Sequence, residues 1–266
     1  MLGAIIGDIV GSVYEHYPIK TRDFPLFHRH AYTTDDTALT VAVGCACAYS
    51  DINNKEEFQG VLVAYMKAIG RMDIEAGFSK RTLEWIISDS TEPYNSYGNG
   101  SAMRVSTVGW VCDTLERTLE LAEWSASVSH NHPEGIKGAQ AIASCIFLAR
   151  TGKSKAEIQQ YIESNFYPLN FTLDEIKDDY KFDSTCQNSV PQGIKCFLEA
   201  ESFEDAVRNA IYIGGDADTI GAMAGAIAEA YFGIPDQIIE EALTHMLPDM
   251  KGYLDLYTPK LYGKIF

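Results

Sequence analysis

The sequence predicts an all-α fold, and three observations predict it. Strict alternation of apolar and polar residues bounded by turns, the mark of a half-buried strand, is nearly absent. Apolar residues instead recur at spacings of three and four, in segments opened by Ser, Asp, Asn or Pro and often closed by Gly. Two segments, one near each end, carry Gly at every fourth position, which lets another helix backbone come very close. The chain has 266 residues and is 46% hydrophobic, enough for a full core. No repeat, low-complexity tract or linker composition divides it. A single domain over residues 1–266 with roughly a dozen helices is expected.

Taken in order, residues 2–16 read as a helix, with Gly3, Gly7, Gly11 and Glu15 on one face and Asp8, Ser12 and Glu15 in line along it. Residues 17–33 hold Pro18, Pro25 and two histidines without a period, so they read as a long loop of the functional or mobile kind. Thr34-Asp35-Asp36-Thr37 opens a helix to about Ser50. Asn54 with Glu57, and Asp113 with Glu116, suggest capping boxes for helices ending near Gly70 and Ser127. Leu83, Ile86 and Ile87 set a helix over 80–89. After a loop at 91–101, a further helix runs to about Cys112. Pro133 and Gly152 bracket the next, and Ser154 to Phe166 follows. Residues 172–180 are short and polar. Helices are expected at about 191–200, at 203–212 behind a Ser202 cap, at 219–232, and from Pro235 to about Met246. The tail from Pro248, with Tyr253, Tyr257, Tyr262 and Phe266, is expected to pack on the surface without regular structure.

Composition bounds the function. The formal net charge of −16 speaks against a nucleic-acid backbone or an anionic membrane surface as partner and suits divalent cations. Cys45, Cys47, Cys112, Cys145, Cys186 and Cys196 form no C-x-x-C pair and sit in apolar helical patterns. They read as reduced core residues of a cytoplasmic protein. No secretory leader is read at the N-terminus, where Asp8 interrupts the apolar run, and no charge-free apolar stretch reaches spanning length.

Two acidic segments stand out: Thr34-Asp35-Asp36, and Asp216-Ala217-Asp218-Thr219 after Gly214-Gly215. Each has an ordinary reading, because Asp at a helix start caps free N–H groups and suits the dipole. Together they offer four carboxylates and two hydroxyls, the hard oxygen set that Mg²⁺, Mn²⁺ or Ca²⁺ takes. A binuclear site follows if the segments meet. Antiparallel packing of the two glycine-striped helices would bring Glu15 to Asp216 and Asp218. Gly98-Asn99-Gly100-Ser101 is either an anion-binding turn or a plain turn capped by Ser101. His130 and His132 are either ligand contacts or capping and loop residues.

These stretches resemble the ADP-ribosylglycohydrolases, the family that includes dinitrogenase reductase-activating glycohydrolase. The matching segments are Gly7-Asp8-Ile9-Val10-Gly11-Ser12 with Glu15, TDDT at 34–37, GNGSAMR at 98–104, SHNHPEG at 129–135 and GGDADTIGAMAGAIAEAYFG at 214–233. They fall in family order over nearly the whole chain. The resemblance implies a compact orthogonal all-α fold and two divalent cations, Mg²⁺ or Mn²⁺. It implies Thr34, Asp35, Asp36, Asp216, Asp218 and Thr219 as metal ligands and Glu15 in acid–base chemistry or water positioning, so that Glu15, Asp35 and Asp218 form the catalytic set. Ser96, Tyr97, Gly98 and Asn99 match the loop that binds ADP-ribose, and His130 a residue near the distal ribose or pyrophosphate. The implied activity is hydrolysis of the N- or O-glycosidic bond between ADP-ribose and a modified side chain, with an ADP-ribosylated protein as partner. A non-catalytic ADP-ribose-binding protein and a binuclear-metal phosphohydrolase are the alternatives. A monomer is favoured. Residues 166–190 have no obvious counterpart, so adenine contacts are not assigned there.

Overall fold

The computed structural model describes residues 1–262, and among them the chain is helical with one isolated bridge between Gly98 and Thr185. The helices are α1 (Leu2–Gly11), α2 (Asp35–Tyr49), α3 (Lys55–Gly70), α4 (Lys80–Ile87), α5 (Gly100–Met103), α6 (Ser106–Val111), α7 (Leu115–Ser127), α8 (Pro133–Arg150), α9 (Lys155–Asn165), α10 (Leu173–Ile176), α11 (Cys186–Leu198), α12 (Phe203–Ile213), α13 (Ala217–Phe232), α14 (Asp236–Thr244) and α15 (Pro248–Tyr262). No helix among the described residues is long and apolar enough to cross a membrane.

α13 is the centre of the molecule. Its residues 217–228 are all buried, as expected of a helix apolar all round, and α1, α8, α11 and α12 pack on it. α1 runs antiparallel to it, glycine on glycine. A Cβ at Gly7 would overlap the Gly221 carbonyl and lie 2.6 Å from Ala222 N, and one at Gly3 would overlap the Gly225 carbonyl. Backbone meets backbone here because neither helix has side chains in the way. The turn into α13 needs glycine for a different reason. Gly214 and Gly215 have φ of +68° and +81°, the left-handed region, and a Cβ on Gly215 would strike the Tyr180 ring.

Several elements depart from the expectation for local reasons. α1 ends at Gly11, not at residue 16, because Ser12 Oγ donates to Ile9 O and Tyr14 N to Gly11 O, tightening the chain into a turn. Glu15 therefore sits beyond the helix. Asn54 accepts from Glu57 N, but the Glu57 carboxylate takes Asp51 N, so the box is open on one side. Thr114, not Asp113, caps α7. The helix expected up to Cys112 is broken into α5 and α6. α11 begins five residues before Pro191, because the backbone of Cys186 is already fixed by its N–H bond to Tyr97 O at 3.0 Å. α13 begins two residues before its expected start.

The tail is the largest correction. Residues 248–262 form α15, with Met250, Leu254, Tyr257 and Thr258 buried at helical spacing and Tyr257 set against Gly44 of α2. Phe266 lies outside the described residues. The 17–33 segment is irregular as expected, yet it is tied down. Lys20 Nζ donates to Lys177 O and, at 2.8 Å, to Tyr180 O, while Arg208 Nη1 donates to Arg22 O and Phe24 O. All six cysteines are free and buried.

Candidate functional site

One cavity of about 600 Å³ collects every residue that the family resemblance implies for the site. Glu15 comes from the turn after α1, and Thr34, Asp35 and Asp36 from the start of α2. Ser96, Tyr97, Gly98 and Asn99 come from the loop before α5, His130 from the turn before α8, and Asp216, Asp218 and Thr219 from the start of α13. His132 is not among the lining residues. Its Nδ1 accepts Glu134 N at 3.1 Å and caps α8, so its ordinary reading is the correct one.

Capping does not account for the acids. Thr34 is the N-cap of α2 and accepts from Asp36 N, so neither Asp35 nor Asp36 is needed for that task. Asp216 occupies the N-cap position of α13 but makes no side-chain cap bond; Asn99 Nδ2 donates to its Oδ2 at 2.7 Å instead. Asp218 Oδ1 accepts Thr219 N, and Thr219 Oγ1 donates across to Asp36 Oδ2 at 3.1 Å. That last bond joins the two acidic segments directly. Asp36 Oδ1 is buried without a hydrogen-bond partner. Carboxylate oxygens of Glu15, Asp216 and Asp218 lie within 4.8 Å of one another.

Electrostatics make the same point. Burial first, and the neighbouring Asp218 second, push the Asp35, Asp36 and Asp216 carboxyls well above the usual carboxylate range. Burial also raises Asp218, and burial with the Asp218 charge raises Glu15. So many acids held together in a shared low-dielectric space repel one another unless protons or cations intervene. The donor set, all carboxylate and hydroxyl oxygen with one buried carboxylate oxygen left over, fits a hard divalent cation.

Asp8 is the residue that sequence reasoning left without a role. Its Oδ2 accepts Thr34 N at 3.0 Å, Thr37 N at 3.1 Å and the Thr37 hydroxyl, and its Oδ1 accepts Thr34 Oγ1 at 2.7 Å. α1 thereby holds the acidic start of α2 in place. Burial and the Asp218 charge push Asp8 up to about 7. The available signal was an acid in the middle of a wholly buried apolar helix. Such a group survives only when several donors compensate it.

The loop at 94–100 forms another wall. Tyr94 N and Ser96 N donate to Ser129 O, and Asn99 N donates to Ser184 O at 2.8 Å. Ser101 Oγ donates to Gly135 O rather than capping α5. His130 is buried, with Nδ1 2.8 Å from Ser129 Oγ, which also accepts from the buried Arg104. Burial and the Arg104 charge hold its pKa well below the usual histidine value, so the ring is neutral. Its Nε2 would lie 3.1 Å from a Cβ on Gly100, so that glycine leaves room for the ring edge. Tyr32, Glu75, Arg81 and Phe182 also line the cavity. None of the four belongs to a motif that the sequence singled out, although Arg81 lies in the helix expected over 80–89.

Comparison with known proteins agrees with this geometry. The family model for ADP-ribosylglycohydrolase matches residues 1–263. ADP-ribosylhydrolase ARH3 of Homo sapiens is 28% identical, the match covering 90% of this chain and 86% of that one. ADP-ribosylarginine hydrolase Tri1 of Pseudomonas putida is 22% identical over 99% of this chain and 81% of its own. The ADP-ribosyl-dinitrogen reductase glycohydrolase of Rhodospirillum rubrum is 23% identical over 88% and 85%. A solved ADP-ribosylglycohydrolase-related protein complex shares the fold with a TM-score of 0.70 at 20% identity, covering 100% of this chain and 96% of that one. The chain belongs to the ADP-ribosylglycohydrolase family and is a hydrolase of glycosidic bonds in ADP-ribose conjugates.

Proposed function

We propose that the cavity releases ADP-ribose from an ADP-ribosylated protein side chain or a related conjugate, and that it does so with two divalent cations, Mg²⁺ or Mn²⁺. The observation that carries this reading is the bridged acidic floor, in which Asp36 keeps a buried unpartnered oxygen while Thr219 ties it to α13. Thr34, Asp35, Asp36, Asp216, Asp218 and Thr219 would hold the cations. When bound, the cations supply positive charge that grips vicinal ribose hydroxyls and makes water more acidic.

The chain's own residues do the rest. Ser96, Tyr97, Gly98, Asn99 and His130 bind and orient the ADP-ribosyl group from the wall that adjoins the acidic floor. Gly98 and Gly100 allow backbone to approach it closely. Asn99 is held by Asp216, so the loop and the acidic floor keep a fixed register. Cleavage builds positive charge on the anomeric carbon, and the ionised faces of Asp35 and Asp218 stabilise it. Glu15 is half-buried, and burial with the Asp218 charge raises its pKa, which suits a group that takes and returns a proton. The six free cysteines support a cytoplasmic setting, and the acidity of the chain disfavours nucleic acid as the carrier of the modification.

The test is product release from a panel of defined ADP-ribosyl conjugates with Mg²⁺ or Mn²⁺. ADP-ribose is the expected product, and Asp218→Asn and Glu15→Gln should each lower kcat by about 10²-fold or more. AMP as the product, or an unimpaired Asp218→Asn enzyme, would overturn the reading.

A further inference from the structure

The cavity is lined by six carboxylates, Glu15, Asp35, Asp36, Glu75, Asp216 and Asp218, and by one Lys or Arg side chain among the described residues, Arg81. Arg81 is exposed, in a chain with 37 acids and 21 basic residues. Arg81 makes no ion pair with the described residues. Its Nη2 donates to Tyr94 O, and its Cζ lies 5.5 Å from the centre of the Tyr94 ring. Tyr94 is itself fixed: its hydroxyl is 3.0 Å from Thr82 Oγ1, one residue along α4 from Arg81, and its ring meets His130 edge-on at 5.7 Å. The guanidinium is thus oriented by a carbonyl and a ring, and the remaining N–H groups of its fork have no partner among the described residues.

The 94–99 loop connects Arg81 to the acidic floor. Tyr94 O holds Arg81 at its start, and Asn99 Nδ2 holds Asp216 at its end. The cavity therefore carries an acidic floor and one cation with free donors, joined by a loop whose backbone is pinned to Ser129 O and Ser184 O. A ligand matched to this lining has hydroxyls for the floor and negative charge for Arg81. A nucleoside diphosphate sugar has that sequence of groups, a terminal diol followed by a diphosphate. An ionised diphosphate entering a cavity lined with acids is repelled unless a cation receives it. A planar fork with several free donors receives phosphate oxygens in pairs, which an ammonium does less well.

We propose that Arg81 binds the diphosphate of the substrate and so determines specificity for diphosphate-bearing ribosides over neutral ones. This role presupposes that the cavity takes an ADP-ribosyl group as described above. Arg81 touches the part of the substrate that does not react, so its loss weakens binding of ground state and transition state alike.

The experiment compares wild type, Arg81→Gln and Arg81→Lys in the Mn²⁺-loaded enzyme. ADP-ribose binding is read by calorimetry, with kcat, KM and thermal midpoint alongside. Arg81→Gln should weaken ADP-ribose binding and raise KM by about tenfold, with kcat within about twofold and an unchanged midpoint. Arg81→Lys should recover part of the loss, and the affinity of Arg81→Gln should depend less steeply on salt than that of wild type. Undiminished ADP-ribose binding by Arg81→Gln, in an enzyme that still releases ADP-ribose, overturns the role of Arg81 and leaves the proposed function standing. So does a fall in kcat at unchanged KM. A wild-type enzyme that neither binds nor releases ADP-ribose overturns the proposed function and the role of Arg81 with it.

Discussion

Replacing Gly7 with alanine tests whether close backbone contact between α1 and α13 is what assembles the acidic floor. The added Cβ would lie 2.6 Å from Ala222 N and nearer still to the Gly221 carbonyl, both rigid backbone atoms. Restoring ordinary van der Waals separation from that carbonyl requires the two helices to part by about 1.5 Å. Overpacking of this kind costs about 1–3 kcal/mol, and with backbone on both sides the upper end applies. Alanine returns about 1 kcal/mol through helix propensity, so about 2 kcal/mol of net destabilisation remains. In a chain of this size that is a fall of roughly 4–8 °C in the thermal midpoint. Activity should fall further than stability, because Gly11, one turn on, lies against Asp218, and α1 positions both Asp8 and Glu15. A misplacement of about 1 Å at a reacting site costs on the order of 10²-fold. The assay pairs thermal unfolding with ADP-ribose release. Gly60→Ala on α3 serves as the control: nothing lies within 4 Å of its Cβ, and it should be neutral or slightly stabilising. If Gly7→Ala behaved like Gly60→Ala in both measurements, the tight interface would not be what holds the site together.

Two further expectations follow from the same geometry. Asp8→Asn can keep its amide oxygen at the Oδ2 position, but its NH₂ then faces Thr34 Oγ1. That hydroxyl already accepts from Asp36 N, so both lone pairs become engaged and none is left for a cation. Mn²⁺ affinity should drop about tenfold or more with the fold intact, and unchanged Mn²⁺ titration calorimetry would refute it. The second expectation concerns pH. Asp35, Asp36, Asp216, Asp218 and Asp8 all have folded-state pKa values above the ordinary carboxylate value, about 7 in the case of Asp8. The metal-free native state therefore binds more protons than the unfolded chain, and its stability falls as pH rises from about 4 through 7. Thermal midpoints in chelator should decline across that window, and saturating Mg²⁺ or Mn²⁺ should flatten the decline by replacing protons. A chelator-treated protein that gains stability from pH 5 to 8 would contradict the crowded, raised-pKa floor.

Much of the site was legible because the residues that make it are short, polar and local. TDDT and GGDADT announce helix starts in any context, and the glycine stripes of α1 and α13 announce a close approach. Their antiparallel direction, which would bring Glu15 to Asp216 and Asp218, is settled only by the pairing of Gly3 with Gly225 and Gly7 with Gly221. The tail was misread because its signal is weak. α15 carries Gly252 and Pro259 within it, both poor helix residues, and Tyr257 seated against Gly44 of α2 helps hold it. The extent of α1 was misread because a Ser12–Ile9 bond ends the helix where the apolar pattern gave no reason to stop.

The sequence by itself determined that the chain is helical, that two acid–threonine segments open two helices, and that two glycine-lined helices can touch along their backbones. These are properties of spacing, and spacing survives without tertiary context. Only the tertiary structure decided which acids are caps and which are free. That decision depends on partners far apart in the chain: Asp8 with Thr34 and Thr37, Asn99 with Asp216, Thr219 with Asp36. It also decided that Arg81 lines the cavity while His132 caps α8, since what each side chain meets depends on residues from other segments. A periodic signal is repeated along the sequence and can be read there. A hydrogen bond between residues some 180 positions apart is made once, and only the folded chain brings its two ends together.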